Sequence, residues 1–257
     1  MNRRALLASS LLLTTVTGCA TLGLEHPPTA APAEPTVQAS TSKPAASAAP
    51  RVLSDSQAQA ALITAEDLGA PWLPTGGAAT WRDGLLKAST PVAECQKLLD
   101  ALYTDELFGA PARAVVGLDD PDAAAQLRYQ LTGRSTADMD RTLAWLKELP
   151  QKCARFTATA GKDTVEDVQV TDLPLPEVGD ARQGLRVTLT LWGTAGDNAD
   201  GEPTALALDV AAVRAGEDGF ALTNGGLGDV PNEATQAAVQ LGVRRLADVR
   251  KQGRVQV

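Results

Sequence analysis

Gly184-Leu185-Arg186-Val187-Thr188-Leu189-Thr190-Leu191-Trp192-Gly193 reads as a β-strand, and much of the chain around it reads the same way. Strands are expected over residues 154–160, 165–173, 184–193, 204–214 and 219–224. Turn residues separate them at Gly161, at Pro174, Pro176, Gly179 and Asp180, over 197–203, and over 216–219. Strand follows strand with no helix between, which points to an antiparallel sheet.

Before this meander, strands over 112–118 and 125–133 flank Asp119-Asp120-Pro121-Asp122, a turn by composition, and read as a hairpin. Ser54 with Gln57 three residues on forms a capping box for a short helix to about residue 62. Thr64 caps a second short turn over 65–68, which ends at Gly69 and Pro71. Trp72 and Trp81 flank a Pro-Gly stretch, and a first strand is expected over 79–88. Thr90 and Pro91 supply a cap and an N1 proline to a stronger helix, with Val92, Cys95, Leu99 and Leu102 on one apolar stripe. Ser135 or Thr136 caps a helix in which Met139, Leu143, Leu146 and Leu149 recur before Cys153. Asp229 and Pro231 open a last helix to about residue 251, whose basic final turn suits the helix dipole. This order describes an α+β domain: an antiparallel sheet, or a mixed one, flanked by helices.

The 257 residues carry 23 Lys+Arg against 31 Asp+Glu, a net charge of −8. Beyond Arg3-Arg4 at the N-terminus, positive charge clusters only at Arg244-Arg245 and Arg250-Lys251, too little for a phosphate-binding footprint, so nucleic acid is not an expected partner. Pro27, Pro28, Pro32, Pro35, Pro44 and Pro50 sit among Ala, Thr and Ser with no apolar period. Such a segment reads as a tether spanning on the order of 30 Å. One domain of about 200 residues follows it.

Catalytic chemistry finds little to work with. The single histidine, His26, lies in the tether, so a Ser/His or Cys/His pair has no base inside the domain. Several His or Cys zinc ligands cannot be assembled, and no elbow, Walker or dinucleotide motif is present. Ser40-Thr41-Ser42-Lys43 matches S-x-x-K but lies in the tether. Asp197-Asn198-Ala199-Asp200-Gly201-Glu202 resembles half a calcium loop, yet Gly196 and Ala207 occupy its first and last ligand positions, so a solvated hairpin loop is the better reading. Asp105, Glu106, Asp180 and Asp209 are free to serve a carboxylate-based hydrolase, which needs two acids about 5 to 9.5 Å apart in one cleft. Asn224-Gly225-Gly226 reads as a turn. No catalytic residue, metal or cofactor is therefore expected. Among the tryptophans Trp72, Trp81, Trp145 and Trp192, core packing is the default, with Trp145 at an edge of the core. Trp145, Tyr103 and Tyr129, the two tyrosines facing the same hairpin, are the candidate ligand-lining residues.

At the N-terminus, Arg3 and Arg4 precede an apolar run over 5–16 that is too short to span a bilayer. Val16-Thr17-Gly18-Cys19 follows and resembles a bacterial lipobox. The resemblance implies a signal peptide over 1–18, diacylglyceryl transfer to the Cys19 sulfur, a lipidated tether over 19–50 and a folded domain over 51–257. Two acyl chains suffice for stable attachment, here to the outer face of the cytoplasmic membrane. An ordinary secretory peptide is the alternative.

Cys95 and Cys153 then remain, an even number in an oxidising compartment. A disulfide between them is favoured over two separate buried thiols.

The spacing Cys95-x-x-Leu98-Leu99, the hairpin, and the helix closing at Cys153 resemble lipoproteins with a PknH-type extracellular sensor domain. So do Leu173-Pro174, Val178-Gly179-Asp180-Ala181 and Ala212-Val213-Arg214-Ala215-Gly216. The likeness covers about residues 52–250. It implies a disulfide-stapled sheet flanked by helices, with a cleft for an envelope ligand and no catalytic residues. The expected function is thus a non-enzymatic, lipid-anchored extracytoplasmic binding or sensor protein. An accessory lipoprotein docking on a membrane or wall protein is the second expectation.

Overall fold

The computed structural model describes residues 52–77, 81–161, 164–191 and 203–255, all within one compact unit, Ser47–Val257. Cys19, the tether, Trp192 and the loop over 197–202 lie outside the described residues.

The core element is a nine-stranded, wholly antiparallel sheet. In chain order its strands are β1 (Leu73–Pro74), β2 (Ala88–Ser89), β3 (Ala114–Asp120), β4 (Ala125–Thr132), β5 (Arg155–Ala160), β6 (Thr164–Asp172), β7 (Ala181–Leu191), β8 (Thr204–Ala215) and β9 (Asp218–Leu227). Their spatial order is β1-β3-β4-β9-β8-β7-β6-β5-β2. The meander β5 to β9 forms one half, and the hairpin β3–β4 docks on its last strand. The fold is α+β.

Alternation decides which face each strand covers. On β7, Leu185, Val187 and Leu189 are buried while Arg186, Thr188 and Thr190 point the other way, so one face is apolar and the other polar. β8 and β9 are central and buried on both faces, and β8 accordingly reads Ala-Leu-Ala-Leu before Asp209 and Val-Ala-Ala-Val after it.

Among the described residues, five α-helices cover the sheet, each layer only in part. Helices α3 (Ala93–Thr104) and α4 (Thr136–Lys152) pack on the face formed by Val168, Val187, Leu189, Leu208 and Val210. Helices α1 (Asp55–Ala60), α2 (Ala65–Leu68) and α5 (Glu233–Val255) lie on the opposite face, with Tyr129, Ala211, Val213, Phe220 and Leu222 beneath them. The expected capping box forms between Ser54 and Gln57, and Thr64 caps α2 as expected, there in a reciprocal box with Asp67. Arg245 of α5 pairs with Asp67 of α2, and Arg250 with Asp218 at the start of β9. Cys95 and Cys153 form a disulfide across 58 positions, their Cα atoms 5.7 Å apart. The bridge joins α3 to the end of α4.

Four local readings change. The strand expected over 79–88 is instead a π-helical turn, Arg82–Leu86, followed by the two residues of β2. Its buried apolar positions are 81, 85 and 86, a helical spacing and not an alternating one. Helix α3 begins at Ala93 with Val92 as an N-cap lacking a side-chain hydrogen bond, so neither Thr90 nor Pro91 caps it and Val92 is exposed. The Thr90 amide donates to Gln96 Oε1 at 2.7 Å. Helix α5 starts after Pro231, with the Gln236 amide donating to the Asn232 carbonyl as its first turn closes. Asn224-Gly225-Gly226 is no turn but the interior of β9. A Cβ at Gly225 would stand 2.7 Å from the Ala207 carbonyl, and one at Gly226 2.6 Å from that of Ala124, so glycine permits the close strand packing there. No helix among the described residues is long and apolar enough to cross a membrane.

Candidate functional site

Strand register places three polar side chains in one row on one face: Arg186 of β7 opposite Asp209 of β8, and Asp209 opposite Asn224 of β9. All three face α5, and Thr235 in its first turn closes the row from above. Asp209, Asn224 and Thr235 are buried to within 1% of full coverage. Isolated, such groups would be costly, and each is held by hydrogen bonds. Arg186 Nε donates to Asp209 Oδ1 at 2.7 Å, and its Nη2 to the Val230 carbonyl at 2.7 Å. Thr235 Oγ1 donates to Asp209 Oδ2 at 2.9 Å and accepts from Asn224 Nδ2 at 3.2 Å.

The direction of this chain is fixed. A carboxylate paired with arginine only accepts, so the one hydroxyl proton of Thr235 goes to Asp209, and Thr235 must take its other bond from the Asn224 amide. Asn224 Oδ1 is left with no partner.

Asn224 also lines a cleft of about 310 Å³ between the sheet end and the helices. Leu68 and Trp72 form one wall, Ala123 of the β3–β4 connection and Ala125 at the start of β4 another, and Val230, Pro231, Ala234 and Ala237 a third. Asp120 and Glu233 are its charged residues. The row beneath fixes the start of α5, and therefore the third wall, on the sheet. Apolar walls with a few placed polar groups are what a small-molecule site requires.

Other polar groups have structural employment. Asp105, in the left-handed conformation at the C-cap of α3, accepts from Arg82 and forms an ion pair with Arg128, whose Nε lies 3.0 Å away, while Arg82 also donates to the Leu102 carbonyl. This triad braces the π-helical turn, α3 and β4 together. Asp180 accepts from the Gly216 amide at 2.6 Å and pairs with Arg214, holding two loops. Glu166 of β6 is fully buried on the α3–α4 face, with both carboxyl oxygens unpartnered, and burial pushes its pKa up to about 7. It lies on the sheet face opposite the cleft. Among the described residues no cluster of three or more His, Cys, Asp or Glu could hold a metal ion.

The three aromatics singled out from sequence are not brought together. Tyr129 is fully buried under α5 against Phe220, with ring centroids 4.8 Å apart. Trp145 is at the edge of the other core, as its position beside Leu146 suggested, donating to Glu94 at 3.1 Å with the Lys97 ammonium 4.2 Å above its ring. Tyr103 packs in that same layer under Lys87. The two tyrosines thus sit on opposite faces of the sheet, because Tyr129 shares the parity of Leu127 and Leu131. Sequence reasoning missed Asn224, Thr235 and Trp72 as members of one site. The available signal was an acid, Asp209, in the middle of an otherwise apolar central strand.

No protein-family model matches the chain. No curated protein matches it. Among solved structures it is similar to the crystal structure of the extracellular domain of PknH from Mycobacterium tuberculosis, at 16% identity and a TM-score of 0.43, over 78% of this chain and 98% of that one.

Proposed function

We propose that this chain is a non-enzymatic, extracytoplasmic binding or sensor protein, tethered to the outer face of the cytoplasmic membrane through lipidated Cys19. Its cleft between α2, α5 and the β3–β4 connection holds a small cell-envelope molecule. The observation that carries the reading is Asn224: a fully buried amide lining an apolar-walled cleft, its NH2 committed to Thr235 and its carbonyl oxygen without a partner. An orphaned buried acceptor costs about 1–3 kcal/mol, a cost that a bound donor removes. The supports for location are the lipobox resemblance and the Cys95–Cys153 disulfide, a bond of oxidising compartments.

The test is native mass spectrometry of the full chain after incubation with an envelope extract, beside the Ala237→Phe variant, which fills the cleft. A small adduct retained by the wild type and lost in the variant is expected. An adduct equally retained by both, or none in either, contradicts the proposal.

A further inference from the structure

The lining of the cleft also selects a ligand class, an inference that rests on the cleft being the binding site. Its charged side chains, Asp120 and Glu233, are both acids, and its buried amide offers an acceptor. Asp120 Oδ1 is engaged by the amides of Asp122 and Ala123, at 2.9 and 3.0 Å, which fixes the carboxylate at the rim. Arg186 is spoken for by Asp209 and the Val230 carbonyl and does not line the cleft. Around the start of α5, Arg186 is shared among Asp209, Asp229 and Glu233, with Asp120 on the facing wall, while Arg245 near Leu68 is matched by Asp67. The partial positive charge at the start of α5, roughly half a unit, is small against that excess. Trp72 adds an indole to the wall, a surface that attracts cations.

We infer that the cleft takes a cationic amine with a short apolar body, its ammonium directed to Asp120, Glu233 and Asn224 Oδ1 and its hydrocarbon part against Trp72 and the alanines of α5. A carboxylate of the same shape would meet acids and an unpartnered acceptor. An alcohol can serve Asn224 but gains nothing from the two charges.

Three probes of similar size separate these cases: n-pentylammonium, n-pentanol and n-pentanoate, titrated into the full chain near neutral pH by saturation-transfer NMR. Pentylammonium is expected to bind at least about tenfold more tightly than pentanol, with pentanoate showing no saturation. Asp120→Asn and Glu233→Gln keep shape and remove charge, and each is expected to weaken the amine several-fold while leaving pentanol unchanged. Thermal melts confirm that each variant is folded. Pentanol or pentanoate binding as tightly as the amine, and lost in Ala237→Phe, overturns the ligand class and leaves the cleft as the site. Binding of any probe unaffected by Ala237→Phe, or binding by none, overturns both.

Discussion

Glu166 shows how one buried side chain sets a pH dependence for the whole fold. Its carboxyl has no hydrogen-bond partner and a pKa near 7, against the 4.5 of a glutamate in water. Between those values the folded chain holds a proton that the unfolded chain has released. Stability is therefore fully present below the unfolded value and falls as pH rises through the window from 4.5 to about 7, levelling above it. The loss amounts to about 3 kcal/mol. Glu166→Gln imitates the protonated acid at every pH. Its urea midpoint is expected to exceed that of the wild type at about pH 8 and to converge with it near pH 4. Equal midpoints at the higher pH would show that the carboxylate ionises without penalty. Asn224 is the second residue of consequence, and nothing local marked it. Its neighbours Gly225 and Gly226 pointed to a turn, and only the pairing of β9 with both β8 and β4 places all three inside a strand.

Helix α5 is seated on the sheet by a missing side chain. A Cβ at Gly242 would lie 2.7 Å from Tyr129 Oη and 2.8 Å from Phe220, closer than packed atoms tolerate. Gly242→Ala gains about 1 kcal/mol of helix propensity but is expected to lose more, about 1–3 kcal/mol, to overpacking. Tyr129 Oη is itself buried without a partner, and burial raises its pKa well above that of free tyrosine, so it stays a neutral phenol. In a Tyr129→Phe background the cost of Gly242→Ala is expected to shrink, a coupling that a double-mutant cycle in urea measures. Additive costs would mean that the helix does not rest on this contact. The disulfide acts at the same scale, restricting 58 positions of unfolded chain. Its removal by Cys95→Ser with Cys153→Ser is expected to cost up to about 4 kcal/mol, read as a lowered urea midpoint. Most elements were legible because their signals are local: caps at Ser54, Thr64 and Ser135, and turn residues between the strands. The π-helical turn was not, because Trp81, Leu85 and Leu86 occupy a stretch too short to separate a helical from a strand period.

At the scale of the whole molecule, the sheet does what no sequence pattern announces. It brings Arg186, Asp209, Asn224 and Thr235 from three strands and a helix into one hydrogen-bonded row, then sets a cleft at its end. The class of the fold followed from the order of strands and helices; the site depended on register and on where α5 lands, neither of which composition encodes. Aromatic scarcity drew attention to Trp145, Tyr103 and Tyr129, but the sheet separates Tyr129 from the other two, and Trp72 is the aromatic on the cleft. Attachment to the membrane is a separate matter, decided by labelling with a tagged fatty acid: label is expected on the wild type and absent from Cys19→Ala, and unlabelled wild-type protein would remove the anchor. The binding role is reached most directly by amide chemical-shift mapping of the full chain titrated with envelope extract. Shifts concentrated at Ala123, Ala125, Asn224, Ala234 and Ala237 are expected. Shifts gathered instead around Tyr103 and Trp145 on the far face, or no shifts at all, would contradict a ligand site beneath α5.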